Sequence, residues 1–183
     1  MKYNFDEVFG FETDTVWGIG CHPLSKSAVD KIYELKGRDK NKPLILMSSK
    51  IEYLKPYIKK IPDYANILIN KFFPGGLTLI FEKSEICPYS ITSNKETIGI
   101  RIPNHKGFWN LVENVEGYVL ATTSLNRSNY PPVKDYIEAD KMFGDTIKII
   151  NPDKENPPKG VASTVVLCTG KEPEVLRQGE IFI

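Results

Sequence analysis

Lys36 and Arg38 flank a single glycine in YELKGRDKNKPLILM, residues 33–47, with Lys40 and Lys42 just beyond. A glycine lets the chain reverse sharply, so an ammonium point charge and a planar guanidinium fork can be turned towards one point. That combination suits a polyphosphate, which needs both charge neutralisation and bidentate recognition. A second group of candidate residues is ATTSLNRSN, 121–129, where Thr, Ser and Asn follow an apolar run directly. Donor-rich segments at strand ends are the usual ligand sites of α/β sheets. A third is ETDTVWG, 12–18, which ends a strand with hydroxyls and carboxylates. Each has a plainer reading. Lys36 in a last helical turn complements the helix dipole, a hydroxyl-rich loop is ordinary turn chemistry, and most charge runs are solvated faces.

No Walker-type G-x-x-x-x-G-K-[ST] occurs and no G-x-G-x-x-G follows a strand, so a nucleotide would have to be held by side chains of this kind. The cations are local. Net charge over 183 residues is +1, whereas residues 26–42 hold six cations and three acids, so composition gives no argument for bulk nucleic-acid affinity. Cys21, Cys87 and Cys168 are far apart and form no C-x-x-C pair, which predicts unpaired thiols in a reducing compartment and no metal site. His22 and His105 are the only histidines; His105, at an expected helix start, is read as structural. The N-terminus lacks the basic and apolar regions of a signal peptide, and no apolar run has the length of a membrane span, so the expected location is cytoplasmic.

The elements that must position these residues alternate between strand and helix. DEVFGFETD reads as an opening strand. Ser25 is a candidate N-cap for a helix carrying Ala28, Ile32 and Leu35 at helical spacing and ending at Gly37. PLILMSS, LTLIFEK, TIGIRIP, GYVLATTS, TIKII, STVVLC and EVLRQ read as strands. IEYLKPYIKKI, PDYANILINKFF, HKGFWNLVEN and the later part of NYPPVKDYIEADKMFG read as helices, and NPDKENPPKGVA is a proline-rich excursion. This order predicts an α/β fold around one twisted sheet, in a single domain over residues 1–183.

Together the segments resemble a known family, the threonylcarbamoyl-AMP synthases with the YrdC-like fold. The likeness runs through ETDTVWGIG, KGRDKNKPL, FPGGLTLIF, TIGIRIPNH, ATTSLN, STVV and LRQG, in the family's order. It implies a YrdC-like twisted mixed sheet with flanking helices and a central ligand cleft. It also implies a nucleotidyltransferase that joins L-threonine, bicarbonate and ATP into threonylcarbamoyl-AMP and pyrophosphate, for threonylcarbamoyladenosine in tRNA. By the same resemblance Lys36 and Arg38 are the expected catalytic cations, and ATP contacts fall on Lys36, Arg38, Thr97, Ser124, Asn126 and Arg177. Threonine contacts fall on Thr15, Arg101, Thr122 and Ser163. Mg²⁺ is expected to arrive with ATP, with no protein metal ligands, and the product to pass to a downstream threonylcarbamoyl-transfer complex. The alternative is an RNA-binding module of the same fold, contacting tRNA through residues 26–42 without catalysis.

The chain departs from the family's pattern at several positions. Glu12 stands for the usual proline, Trp17 for tyrosine, Leu125 for a small residue and Asn129 for a glycine; Met47 takes a place often held by histidine in longer relatives. The family's N-terminal helix and the longer relatives' C-terminal domain are not expected in this sequence. Asp14 is a candidate proton acceptor for the substrate amine.

Overall fold

The computed structural model describes residues 3–183. Nine strands form one mixed sheet in the order β7-β1-β2-β6-β3-β5-β4-β8-β9. In chain order they are β1 (Val8–Phe11), β2 (Gly18–Cys21), β3 (Ile45–Ser48), β4 (Leu77–Glu82), β5 (Thr97–Arg101), β6 (Val119–Ser124), β7 (Lys148–Ile149), β8 (Thr164–Leu167) and β9 (Glu174–Arg177). The helices are α1 (Lys26–Lys36), α2 (Ile51–Leu54), α3 (Asp63–Phe72), α4 (Tyr89–Thr92), α5 (Lys106–Val112) and α6 (Tyr136–Phe143). The pattern is the α/β mixed sheet with flanking helices expected from the sequence.

α1 is specified at both ends. The Ser25 side chain accepts from the Ala28 N–H at 3.2 Å, and Gly37 closes the helix at φ 56° with its N–H donating to Glu34 O. Ala28, Val29, Ile32 and Tyr33 form its buried face. β2 is the strand that the sequence hid, because its GIGC segment is glycine-rich and glycine is depleted in strands. Those glycines are steric requirements here. A Cβ at Gly18 would lie 2.7 Å from the Phe11 ring, and one at Gly20 would lie 2.8 Å from Thr122 Cγ2.

Strand register decides which side chains share a face. Leu46, Ile100, Leu79, Val166, Ala121 and Ile19 point to one side and join the main apolar core with α1. The other side carries Met47 opposite Arg101, Ile45 opposite Thr122, Thr78 opposite Val165, and Val165 opposite Arg177. A second apolar cluster of Phe9, Phe11, Met47 and Leu120 with Phe108, Leu111 and Val112 of α5 covers part of that face. The remainder is a cavity.

Candidate active site

The cavity has a volume of about 430 Å³ and extends from β2 and β6 to β8 and β9. Strands β6 and β9 are five spacings apart, about 24 Å. Of the ten residues nominated from sequence, eight line it: Thr15, Arg38, Arg101, Thr122, Ser124, Asn126, Ser163 and Arg177. Lys36 and Thr97 do not.

Arg101 ends β5 and is almost wholly buried, with 2% of its surface exposed. Its guanidinium donates from Nη1 to Thr15 Oγ1 at 2.7 Å, from Nε to Gly75 O at 2.9 Å, and from Nη2 to Asp14 Oδ1 in a short ion pair. Burial draws its pKa below the ordinary arginine value, and the Asp14 carboxylate opposes that shift. Arginine has five N–H donors, so two remain for a ligand. Asp14, expected as a proton acceptor, is instead committed to Arg101. Thr13 braces the same loop, its hydroxyl donating to Val16 O at 2.7 Å and lying 3.1 Å from Thr15 Oγ1.

At the far wall Arg177 grips the residue just before β8, donating from Nη2 to Ser163 O at 2.8 Å and to Ser163 Oγ at 3.2 Å. Ser163 Oγ also lies 2.8 Å from Thr78 Oγ1. Thr122 donates to Ile45 O at 3.2 Å, which ties β6 to β3 beneath the cavity. Ser124 donates to Asn126 Oδ1 at 2.6 Å, and Asn126 Nδ2 donates onward to Arg127 O and Tyr130 O. The residues 124–130 are thereby held as a rigid lip. Arg38 donates to Lys42 O and Pro43 O from Nε and Nη2 and makes no bond from Nη1 among the described residues; burial lowers its pKa, and the neighbouring Tyr33 hydroxyl opposes that shift.

Lys36 corrects the expectation of two cations aimed at one phosphate. It is the last residue of α1, with 2% exposure, and its Nζ donates to Ser124 O, to Asn126 O at 2.9 Å and to Asn126 Oδ1 at 2.8 Å. The ammonium's three donors are spent on the lip. The physical reason is that Lys36 lies on the buried face of α1 with Ile32 and Tyr33, whereas Arg38 lies beyond the Gly37 reversal. Burial, with the Arg38 guanidinium adding to it, pulls the Lys36 pKa down to about 7. Thr97 is displaced for a simpler reason: it begins β5, four residues or about 13 Å from Arg101. Glu12 does not line the cavity either; its carboxylate accepts from the Asp153 N–H at 2.7 Å.

Sequence reasoning gave no contact role to the apolar wall of Val16, Pro43, Ile45 and Pro132, or to Tyr130 on the lip. Their only signal was adjacency to the polar segments. Trp17 also lines the cavity, and its buried indole N–H has no hydrogen-bond partner among the described residues. A buried donor without a partner is costly unless a ligand supplies one.

A family model for Sua5/YciO/YrdC, described as "Telomere recombination", matches residues 4–179. The chain belongs to the Sua5/YciO/YrdC family. Among its relatives is a threonylcarbamoyl-AMP synthase of Pyrococcus abyssi, 37% identical over 174 residues, covering 94% of this chain and 50% of that protein. A threonylcarbamoyl-AMP synthase of Bacillus subtilis is 36% identical over 178 residues, covering 96% of this chain and 51% of that protein. The chain therefore spans about half the length of these two Sua5/YciO/YrdC relatives. The crystal structure of P. abyssi Sua5 complexed with L-threonine superposes with a TM-score of 0.87 at 35% identity, over 95% of this chain and 51% of that one.

Proposed function

We propose that this chain is a threonylcarbamoyl-AMP synthase, joining L-threonine, bicarbonate and ATP and releasing pyrophosphate. The observation that carries the reading is the convergence of Arg38, Arg101 and Arg177 with the Ser124 and Asn126 side chains on one cavity. The two free N–H groups of Arg101, beside the Thr15 hydroxyl, offer a threonine carboxylate a bidentate partner. Arg38 and the rigid lip offer the triphosphate a cation and fixed polar groups. The threonine nitrogen, carboxylated by bicarbonate with loss of water, becomes a carbamate. Its oxygen attacks the α-phosphorus, and the bond to the β-phosphate oxygen breaks as pyrophosphate leaves. No covalent enzyme intermediate is needed, so the residues act by orientation and charge. In this scheme Lys36 contributes by fixing the Ser124–Asn126 lip.

Mg²⁺ would supply charge neutralisation on the phosphates. Among the described residues no group of three or more His, Cys, Asp or Glu is placed to hold a metal. The guanidinium and hydroxyl donor set fits an ion already bound by phosphate oxygens and water. The reading places the chain in the cytoplasm, upstream of a complex that transfers the threonylcarbamoyl group to tRNA. Among the described residues no helix is long and apolar enough to cross a membrane. Direct RNA binding through residues 26–42 has less support: Lys26 pairs with Asp30, Lys31 donates to Thr146 O, and Lys36 is buried.

The test is pyrophosphate release from Mg-ATP with threonine and bicarbonate present or singly omitted. Release that requires all three supports the reading; release indifferent to threonine refutes it.

A further inference from the structure

Residues 151–163 leave β7 at one edge of the sheet and reach β8 on the far side, running as a strap along the 12–17 loop. The bonds occur in order. Ile150 N–H donates to Gly10 O at 2.8 Å, Asp153 N–H to Glu12 Oε2 at 2.7 Å, Lys159 N–H to Asp14 O at 3.4 Å, and Gly160 N–H to Thr15 O at 2.7 Å. Three of these four join backbone to backbone and do not depend on side-chain identity. The bond at Asp153 depends on residue 12.

His105 grips the same turn from beneath. Its Nδ1 accepts from the Phe108 N–H at 3.2 Å, capping α5, so its proton sits on Nε2, which donates to Asn156 O at 3.0 Å. Glu12 Oε2 stands 3.8 Å from that Nε2, and both side chains are buried, with 7% and 2% exposure. Burial holds the imidazole below its usual pKa, which keeps it neutral, and raises the Glu12 carboxyl against the pull of the Asp153 N–H. A buried carboxylate costs free energy wherever an apolar residue would fill the space, so its presence calls for a positional return.

The return lies further along the strap. Its Ala162 and Ser163 line the cavity, and its bonds to Asp14 O and Thr15 O hold the backbone whose side chains clamp Arg101. We propose that Glu12 is a positioning residue which, with His105, clasps the 151–163 strap and so sets the Thr15–Arg101–Ser163 side of the cavity. Glu12 itself does not line the cavity. The substrate side of this inference rests on the threonine reading above; the clasp does not.

The experiment measures amide hydrogen exchange on the full chain without ligand, together with KM for threonine and for ATP. The variants are Glu12→Ala, Glu12→Gln, Asp153→Pro and Asp153→Ala. Losing one hydrogen bond to a carboxylate is worth roughly tenfold to a hundredfold in a local equilibrium. Glu12→Ala should speed exchange at Asp153 and Gly160 by about that factor and raise the threonine KM similarly, with the ATP KM within about twofold. Glu12→Gln, whose amide oxygen can still accept, should restore both. Asp153→Pro removes the donor together with a carboxylate that accepts from the Glu155 N–H and the Asn156 amide, so Asp153→Ala, which removes that carboxylate alone, is its control. Asp153→Pro should raise the threonine KM and Gly160 exchange above Asp153→Ala, a comparison that stands even if Glu12→Ala fails to fold. Exchange unchanged in Glu12→Ala and no faster in Asp153→Pro than in Asp153→Ala overturns the clasp, as does Glu12→Gln behaving like Glu12→Ala. Equal rises in both KM values overturn its assignment to the threonine side. If the wild type shows no threonine-dependent turnover, the functional reading fails and exchange alone judges the clasp.

Discussion

Arg101 and Asp14 form a buried ion pair that is the partition between two cavities. Arg101 lines the 430 Å³ cavity, while Asp14 and Gly75, both bonded to that guanidinium, line a second cavity of about 360 Å³. Side-chain exposures of 3% and 10% leave little water to replace a lost partner. Removing one member of such a pair leaves an uncompensated charge and costs about 3–5 kcal/mol. Asp14→Ala is therefore expected to lower unfolding stability by that amount. Converting both residues to apolar ones of similar volume should recover most of it. Urea denaturation of the single and double variants decides the point; a loss under 1 kcal/mol in the single variant would contradict the pairing.

Lys36 gives a pH prediction. Its folded pKa lies near 7, against 10.5 for an unperturbed lysine, chiefly because it is buried. Between those values the unfolded chain binds more protons than the folded one, so this group makes stability rise with pH from about 7 towards 10.5. The slope is at most about 1.4 kcal/mol per pH unit. Lys36→Met removes that slope. Unfolding curves for both proteins at pH 7, 8 and 9 should diverge, with the wild type gaining; parallel curves would contradict the assignment. Below about pH 7 the ammonium serves all three lip oxygens, whereas a neutral amine has only two donors.

Gly179 links the end of the LRQG segment to the strap. A Cβ there would lie 2.2 Å from Ala162 O and 2.5 Å from Ser163 C, both backbone atoms that cannot rotate away. Gly179→Ala must push the strap's end out of place, with an overpacking cost of about 1–3 kcal/mol. Thermal unfolding and threonine KM should both worsen, whereas Gly170→Ala, whose nearest contact is 3.6 Å, should change neither.

Much of this arrangement was legible in the sequence because it rests on local chemistry. Ser25 and Gly37 mark α1 by capping, and the polar segments at 12–18 and 121–129 do end strands beside the cavity. β2 was not legible, since its glycines are dictated by the Phe11 ring and Thr122, which are tertiary neighbours. Nor was the direction of Lys36: residues 36 and 38 differ by two positions, yet the helix buries one while the αL turn releases the other. Nor was the placement of Glu12, whose hydrogen-bond partner Asp153 is 141 positions away.

Arg38 and Arg101 line the same cavity, and the proposed function assigns them to different ligands. Arg38→Ala is expected to weaken ATP binding more than threonine binding, by about 1.5–3 kcal/mol for a hydrogen bond to a charged group, and Arg101→Ala the reverse. Calorimetric titration of each ligand into each variant checks the division, and equal losses in all four titrations would contradict it.

The most direct test of the whole account is a crystal structure with threonine and a non-hydrolysable ATP analogue bound together. The account places the threonine carboxylate on the two free N–H groups of Arg101 and the triphosphate between Arg38 and the 124–126 lip, within one cavity. Density for either ligand on a different face of the sheet, or one ligand excluding the other, would contradict it.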